Sequence, residues 1–378
     1  MSADGKMIPY GHQDIDAADI AAVVKALQSD WLTTGPEIAR FEDAAARRVQ
    51  AKHAVAVFNG TVALHLACRA LGLGPGDTLW TTPNTFVASA NCALYCGASV
   101  DFVDMDAKTY NMSVDALEKK LRTSRKKPKV LVPVHFAGQP CDMRAIGALA
   151  KKYRVAVIED ASHAVGATYR GEPVGNGRHC DLTVFSFHPV KIITTGEGGM
   201  VLASNAKLAA KLRLLRTHGI DREKSKTRGA WYYEQVDLGY NYRLTDVQSA
   251  LGTSQLQRLD AFLARRRALA ARYDRLLADL PVMRPWQHPD GESAWHLYVI
   301  QVKQRRKVFE TMRAAGIGVA VHYIPVHLHP HYRRLGFKPG DFPAAEAYYE
   351  RALSLPMYPA LTDAQQDQVV AALARAVR

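Results

Sequence analysis

Cysteine is scarce and long apolar runs are missing. The five cysteines form an odd set without framework spacing, which argues against a disulfide-built fold and fits reduced thiols. Cys92 and Cys96, four apart in "NCALYC", read as buried helix packing rather than a metal pair. No uninterrupted apolar stretch approaches the roughly 20 residues that a membrane helix needs. The opening "MSADGKMIPYGHQ" holds no apolar run long enough for a signal peptide. The expectation is a soluble cytoplasmic protein with no membrane partner. Zinc-finger spacing, an aromatic-interleaved basic tract and a basic tail are also missing. Nucleic acid is therefore not an expected partner, although the net charge is +13. The basic residues fall in short groups, such as "SRKKPK" (124–129), "RRR" (265–267) and "RR" (305–306), and read mainly as solvated surface. A surplus of this sign also suits phosphorylated metabolites.

What is present is alternation. The 378 residues are 48% apolar, enough for one large domain or two. Short β-branched runs read as strands: "HAVAVF" (53–58), "SVDFVDM" (99–105), "KVLVPVHF" (129–136), "RVAVIED" (154–160), "DLTVFSF" (181–187) and "GMVLAS" (199–204). Helical patterns such as "TVALHLACRAL" and "MRAIGALAKKY" lie between them. Near-continuous apolar strands alternating with helices predict an α/β fold, a mainly parallel sheet sandwiched by helices. After about residue 245 a long helical stretch runs to Pro281, followed by a shorter α+β pattern. The expected division is 1–250 as a large domain and 251–378 as a smaller C-terminal one, begun by the linking helix.

In such a sheet, ligands sit beyond the carboxyl ends of the strands. Three segments place chemistry there. In "FNGTVALHLA" (58–67) a strand ends at Gly60 and Thr61 and a helix begins at once. Free helix N–H groups and a hydroxyl make a phosphate cradle, though Thr61 serves equally as a plain cap. In "VAVIEDASHAVGA" (155–167) Asp160 ends a buried strand, where a carboxylate needs a cation or hydrogen-bond donors. Taken alone, Asp160 is as readily a loop cap, and His163 as readily a packing residue. In "SFHPVKIITTGEGGM" (186–200) Ser186 and Lys191 follow another strand end. A lysine amine in a buried, electropositive setting becomes a nucleophile towards carbonyls. An isolated lysine is ordinarily just exposed. The order of the three segments decides between these readings. Phosphate cradle, strand-end aspartate and strand-end serine with lysine form the layout that a pyridoxal phosphate site needs.

The chain resembles the DegT-type sugar-nucleotide aminotransferases, a family with the fold type I pyridoxal phosphate architecture. The likeness runs from "IPYGHQDID" to "SLPMYPALT", and its most specific pieces are "SDWLTTGP", "TTPNTFVASANC", "EDASHAVGA", "SFHPVKIITTGEGGM", "GYNYRLTDVQSALG" and "HYIPVHLHPHYRRLGF". Within the family it is most similar to the branch that forms UDP-4-amino-4,6-dideoxy-N-acetyl-β-L-altrosamine for pseudaminic acid. The resemblance implies L-glutamate as amino donor and a UDP-linked keto sugar as acceptor. It implies that Lys191 bonds to pyridoxal 5'-phosphate and shuttles a proton, that Asp160 pairs with the ring nitrogen, and that Phe86 stacks on the ring with His163 near it. Gly60, Thr61 and Ser186 are implied to hold the phosphate, and Asn241 to reach the phosphate of the other subunit of a homodimer. Tyr10, the loop of Asp30, Trp31, Leu32 and Thr33, and the segment Val321, His322 and Tyr323 are implied to line the sugar-nucleotide cleft. Related dehydratases carry histidine in place of the lysine, so Lys191 argues against that branch. Two readings from other classes compete. His322, His327, His329 and His331 suggest a metal-binding protein, but Pro325 and Pro330 break the segment and no metal is expected. A noncatalytic regulator is opposed by the presence of both Lys191 and Asp160.

Overall fold

The computed structural model describes residues 7–378. Seven strands build the central sheet: β1 (His53–Val57), β2 (Thr78–Thr81), β3 (Ser99–Phe102), β4 (Val130–Val132), β5 (Ala156–Asp160), β6 (Leu182–Ser186) and β7 (Gly199–Ala203). Their spatial order is β1-β7-β6-β5-β4-β2-β3. Strands β6, β5, β4, β2 and β3 run parallel, and β7 lies antiparallel between β1 and β6. The expected mainly parallel sheet is present. Strand β2 is an addition to it. Its run "TLWT" holds only two apolar residues, Leu79 and Trp80, between threonines, too weak a pattern to register as a strand in the sequence.

The longer helices of this part are α1 (Ala17–Leu27), α2 (Pro36–Val49), α3 (Gly60–Ala70), α4 (Ala88–Tyr95), α5 (Val114–Thr123), α6 (Met143–Tyr153) and α7 (Ala206–Arg216). Alternate strand residues go to opposite faces. Val55, Val57, Val130, Val132 and Ile158 pack with α3, α4 and α7. On the opposite face Ala54 and Ala56 pack beside Phe41 of α2, while Leu131 and Val157 pack beside Leu117 and Ile146 of α5 and α6. Both faces are therefore covered, which is why these strands read as nearly unbroken apolar runs.

The C-terminal part holds α8 (Asp246–Gln257), α9 (Leu259–Leu276), β8 (Tyr298–Gln301), α10 (Arg305–Ala314), β9 (Ala352–Leu355) and α11 (Asp363–Ala376). The long helix predicted to run to Pro281 is two helices that meet at Arg258, and the second ends at Leu276. Two different surfaces demand the break. Helix α8 begins in a capping box of Thr245 and Gln248 and packs on α1 and α2. Helix α9 buries Leu259, Phe262 and Leu263 in the large core, and Leu269, Ala270 and Tyr273 in a second core. That second core holds the antiparallel pair β8 and β9, helices α10 and α11, and Ile8 from the start of the chain. Arg258 anchors the junction through ion pairs to Asp14, Asp16 and Asp19. No described helix is long and apolar enough to cross a membrane.

Candidate active site

The carboxyl ends of β1, β5 and β6 and the start of β7 share one edge of the sheet. In register, Gly199 of β7 lies between Val57 and Ser186. Two close approaches there require glycine. A Cβ on Gly199 would stand 2.4 Å from the carbonyl oxygen of Asn59, and one on Gly60 would stand 2.9 Å from the Cβ of Ser186. The chain can thus bring the first turn of α3 against the Ser186 hydroxyl. Asn59 caps that helix by accepting from the backbone N–H of Val62 at 3.0 Å.

A cavity of about 470 Å³ opens above this edge. Its lining includes Gly60, Thr61, Ser186, Asp160 and Lys191, along with Phe86, His163, Tyr10, His322 and Tyr323. Asp160 ends β5 and is buried. Its Oδ2 accepts from the Ser89 hydroxyl at 2.6 Å, and its Oδ1 accepts from Ser162, from the hydroxyl at 2.6 Å and the N–H at 3.1 Å. Lys191 lies on the loop between β6 and β7 and is half-buried. Next to it Ile192 and Ile193 are buried, and Thr194 and Thr195 both donate to the carbonyl of Phe187 at 3.0 Å, which fixes the loop. Burial pushes the Lys191 ammonium down to about 8, while the Asp160 carboxylate pulls the other way.

Four histidines line the cavity; His188 is exposed, and the other three surround this pair. His163 is buried, and its Nε2 shares a hydrogen bond of 3.2 Å with the Tyr323 hydroxyl. Burial, then the charge of Lys191, holds His163 well below the usual histidine range. His322 is pushed down to about 3 by burial and by Lys191. His296, whose ring centroid is 4.3 Å from that of His163, is lowered well below its usual value, chiefly by burial. All three are neutral at pH 7. Tyr323 is held in its phenol form by burial. Its wall is braced from the second core, since Met357 donates to the Tyr10 carbonyl at 3.0 Å and Arg266 donates to the carbonyls of His296 and Met357.

Some residues singled out in the sequence lie elsewhere. Val321 stands next to the cavity wall without lining it. The loop of Asp30, Trp31, Leu32 and Thr33 is exposed and lies against the start of α8, with Asp246 donating to the Leu32 carbonyl at 3.0 Å. Asn241 is exposed and pairs with Thr217 in an isolated bridge, away from the cavity of its own chain. Of the histidine cluster only His322 reaches the cavity. His327 is buried against Glu346 at 2.8 Å. No group of three or more potential metal ligands occurs among the described residues. Cys92 on α4 and Cys96 at its C-cap are buried in the same cluster as Cys68. Ser89, Ser162 and His296 were not anticipated. Ser162 lay in plain view between Asp160 and His163, and Ser89 within "TTPNTFVASANC" three residues after Phe86, whereas nothing local to His296 signals the site.

The donor set fits pyridoxal phosphate. The cradle at Gly60 is open where a side chain would close it. The carboxylate keeps acceptor capacity towards the cavity, and the lysine sheds its proton near neutrality. The profile of the DegT/DnrJ/EryC1/StrS aminotransferase family matches residues 13–374, and the chain belongs to that family. Members and structural neighbours are sugar aminotransferases that use pyridoxal phosphate, and this chain is an enzyme of that class. It is 42% identical over 378 residues to the spore coat polysaccharide biosynthesis protein SpsC of Bacillus subtilis, covering 97% of this chain and 96% of that one. The fold is similar to Spr1654 from Streptococcus pneumoniae, described as a sugar aminotransferase and solved with pyridoxamine phosphate. That match has a TM-score of 0.92 and 32% identity over 98% of this chain and 99% of the other. It is also similar to Helicobacter pylori PseC, an aminotransferase involved in pseudaminic acid biosynthesis, with a TM-score of 0.91 and 31% identity over 98% and 99%.

Proposed function

We propose that this enzyme moves the amino group of L-glutamate to the 4-keto carbon of a UDP-linked 4-keto-6-deoxy-N-acetylhexosamine. The product is UDP-4-amino-4,6-dideoxy-N-acetyl-β-L-altrosamine, destined for pseudaminic acid. One observation carries the reaction class: a lysine lowered to about 8 shares a cavity with a buried carboxylate and an open helix N-terminus. The likeness to PseC supports the substrate.

When bound, pyridoxal phosphate supplies an electron sink that lets a carbon next to nitrogen give up its proton. The backbone N–H groups at Gly60 and Thr61 and the Ser186 hydroxyl would hold the phosphate. Asp160 would accept the N–H of the ring nitrogen. Phe86 would stack on the ring with His163 near it, His163 adding no charge because it is neutral. Lys191 would be the point of attachment, and its amine is the group placed to take a proton from the donor carbon and return it elsewhere. Tyr10, His322 and Tyr323 shape the sugar-nucleotide cleft, with Val321 adjoining His322 outside the lining.

The enzyme acts as a homodimer with shared sites. Helix α1 exposes Ile20 (59%), Val24 (43%) and Leu27 (56%) on one face, next to Trp31 (53%). An apolar stripe of this kind suits burial against a second copy. Asn241 and the loop Asp30–Thr33, both exposed and outside their own cavity, then serve the partner's site.

A second reading is amination of a different nucleotide-linked keto-deoxysugar, favoured by the higher identity to SpsC than to PseC. Incubation with glutamate and a panel of UDP-linked keto sugars, followed by NMR of the product configuration, separates the two. The β-L-altro 4-amino product is expected. Preference for another keto sugar selects the second reading, and failure to aminate any of them contradicts both.

A further inference from the structure

The hydroxyls around Asp160 form an ordered chain that the reaction scheme does not use. Ser89 and Thr85 are buried, 1% and 2% exposed, and their hydroxyl oxygens are 2.8 Å apart. Ser89 Oγ stands 2.6 Å from Asp160 Oδ2. Ser162 reaches Oδ1 with two donors. As the partner of a protonated ring nitrogen, the carboxylate only accepts. The Ser89 proton must then go to Asp160, and Ser89 must accept from Thr85. The direction Thr85 to Ser89 to Asp160 is fixed, and such a chain polarises each member. A carboxylate has about four acceptor positions. Three are taken by Ser89 and Ser162, which leaves one for the ring N–H.

We propose that Ser89 and Ser162 are positioning residues that clamp the Asp160 carboxylate so that its one free acceptor position meets the ring nitrogen, with Thr85 ordering the Ser89 hydroxyl. The inference rests on reading Asp160 as the partner of that nitrogen. It links α4 to β5 across 71 positions of sequence, through side chains that the fold packs together. Removing one donor leaves the carboxylate free to turn and weakens its hold on the ring proton.

The test uses holoenzyme reconstituted with pyridoxal phosphate carrying 15N at the ring nitrogen, whose NMR shift reports protonation directly. The wild-type nitrogen is expected to be protonated at pH 7 and to deprotonate only towards the alkaline end of the stable pH range, and that of Asp160→Asn to be neutral at pH 7. Ser89→Ala and Ser162→Ala should each lower the pH of deprotonation by about one to two units, the equivalent of one hydrogen bond to a charged group. Ser162→Thr, which keeps the hydroxyl, should restore the wild-type shift. Thr85→Val should produce a smaller change of the same sign. In each alanine variant kcat should fall while KM for the sugar nucleotide stays within about twofold, because no substrate contact is lost. A wild-type nitrogen that is neutral at pH 7 would overturn the reading of Asp160 itself. A protonated wild type, with both alanine variants titrating as it does, would overturn the clamp alone. If Ser89→Ala does not fold, the Ser162→Ala and Ser162→Thr pair decides the same question.

Discussion

Lys191 is valuable because its amine is hard to keep charged where it sits. Its value of about 8 means that the neutral, nucleophilic form is a minority at pH 7 and the majority by pH 9. The rate of covalent cofactor attachment to apoprotein should therefore rise about tenfold per pH unit below 8 and level off above it. Stopped-flow absorbance of apoprotein mixed with pyridoxal phosphate measures this. A flat profile between pH 6 and 8 would mean that the amine is already neutral at pH 6, against a value of about 8. The same shift bears on stability with a definite sign. Between about 8 and the ordinary 10.5 the unfolded chain holds a proton that the folded chain has lost. Through this group the apoprotein gains stability as pH rises across that window. The neighbouring histidines act with the same sign in a lower window: below about 6.5 the unfolded chain binds protons that His322, at about 3, and His163, well below its usual range, refuse when folded, so stability falls as the pH drops through that window.

The strand ends were legible because each chemical residue follows an apolar run. Asp160 closes "VAVIED", Ser186 closes "DLTVFS", and Lys191 comes just after it. What the sequence could not show are partnerships between distant elements. Helix α2 begins at Pro36 after Gly35, which has no side chain to cap it. The cap comes from α8, where buried Asp246 accepts from the N–H groups of Gly35 at 2.8 Å and Glu37 at 2.9 Å. No local pattern announces a cap 211 positions away. The break between α8 and α9 was hidden for a related reason, since apolar periodicity continues across Arg258 while the surface it faces changes. Asp246→Ala should cost about 2 kcal/mol, the loss of a helix cap with two hydrogen bonds to a carboxylate. Asp246→Asn, which retains one oxygen acceptor, should cost less. Urea unfolding followed by circular dichroism gives both values. An alanine variant as stable as wild type would remove Asp246 from this role.

The proposed dimer makes two equivalent sites, each drawing Lys191 from one chain and Asn241 from the other. Asn241→Asp would set a carboxylate against the cofactor phosphate, and Lys191→Ala would remove the nucleophile. Each homodimer should be inactive or nearly so. In a mixed dimer both lesions fall in one site, so differently tagged variants purified together should recover up to about half of wild-type activity if the sites act independently. Mixed dimers confirmed by native mass spectrometry yet no more active than either homodimer would refute sharing through Asn241. The proposed reaction rests on one lysine as the point of cofactor attachment. Borohydride reduction of the holoenzyme, followed by peptide mass spectrometry, tests it most directly. The pyridoxyl mass is expected on Lys191 and should be lost in Lys191→Ala. A pyridoxyl group found on another lysine of the wild-type site, or retained at that site in the variant, would contradict it.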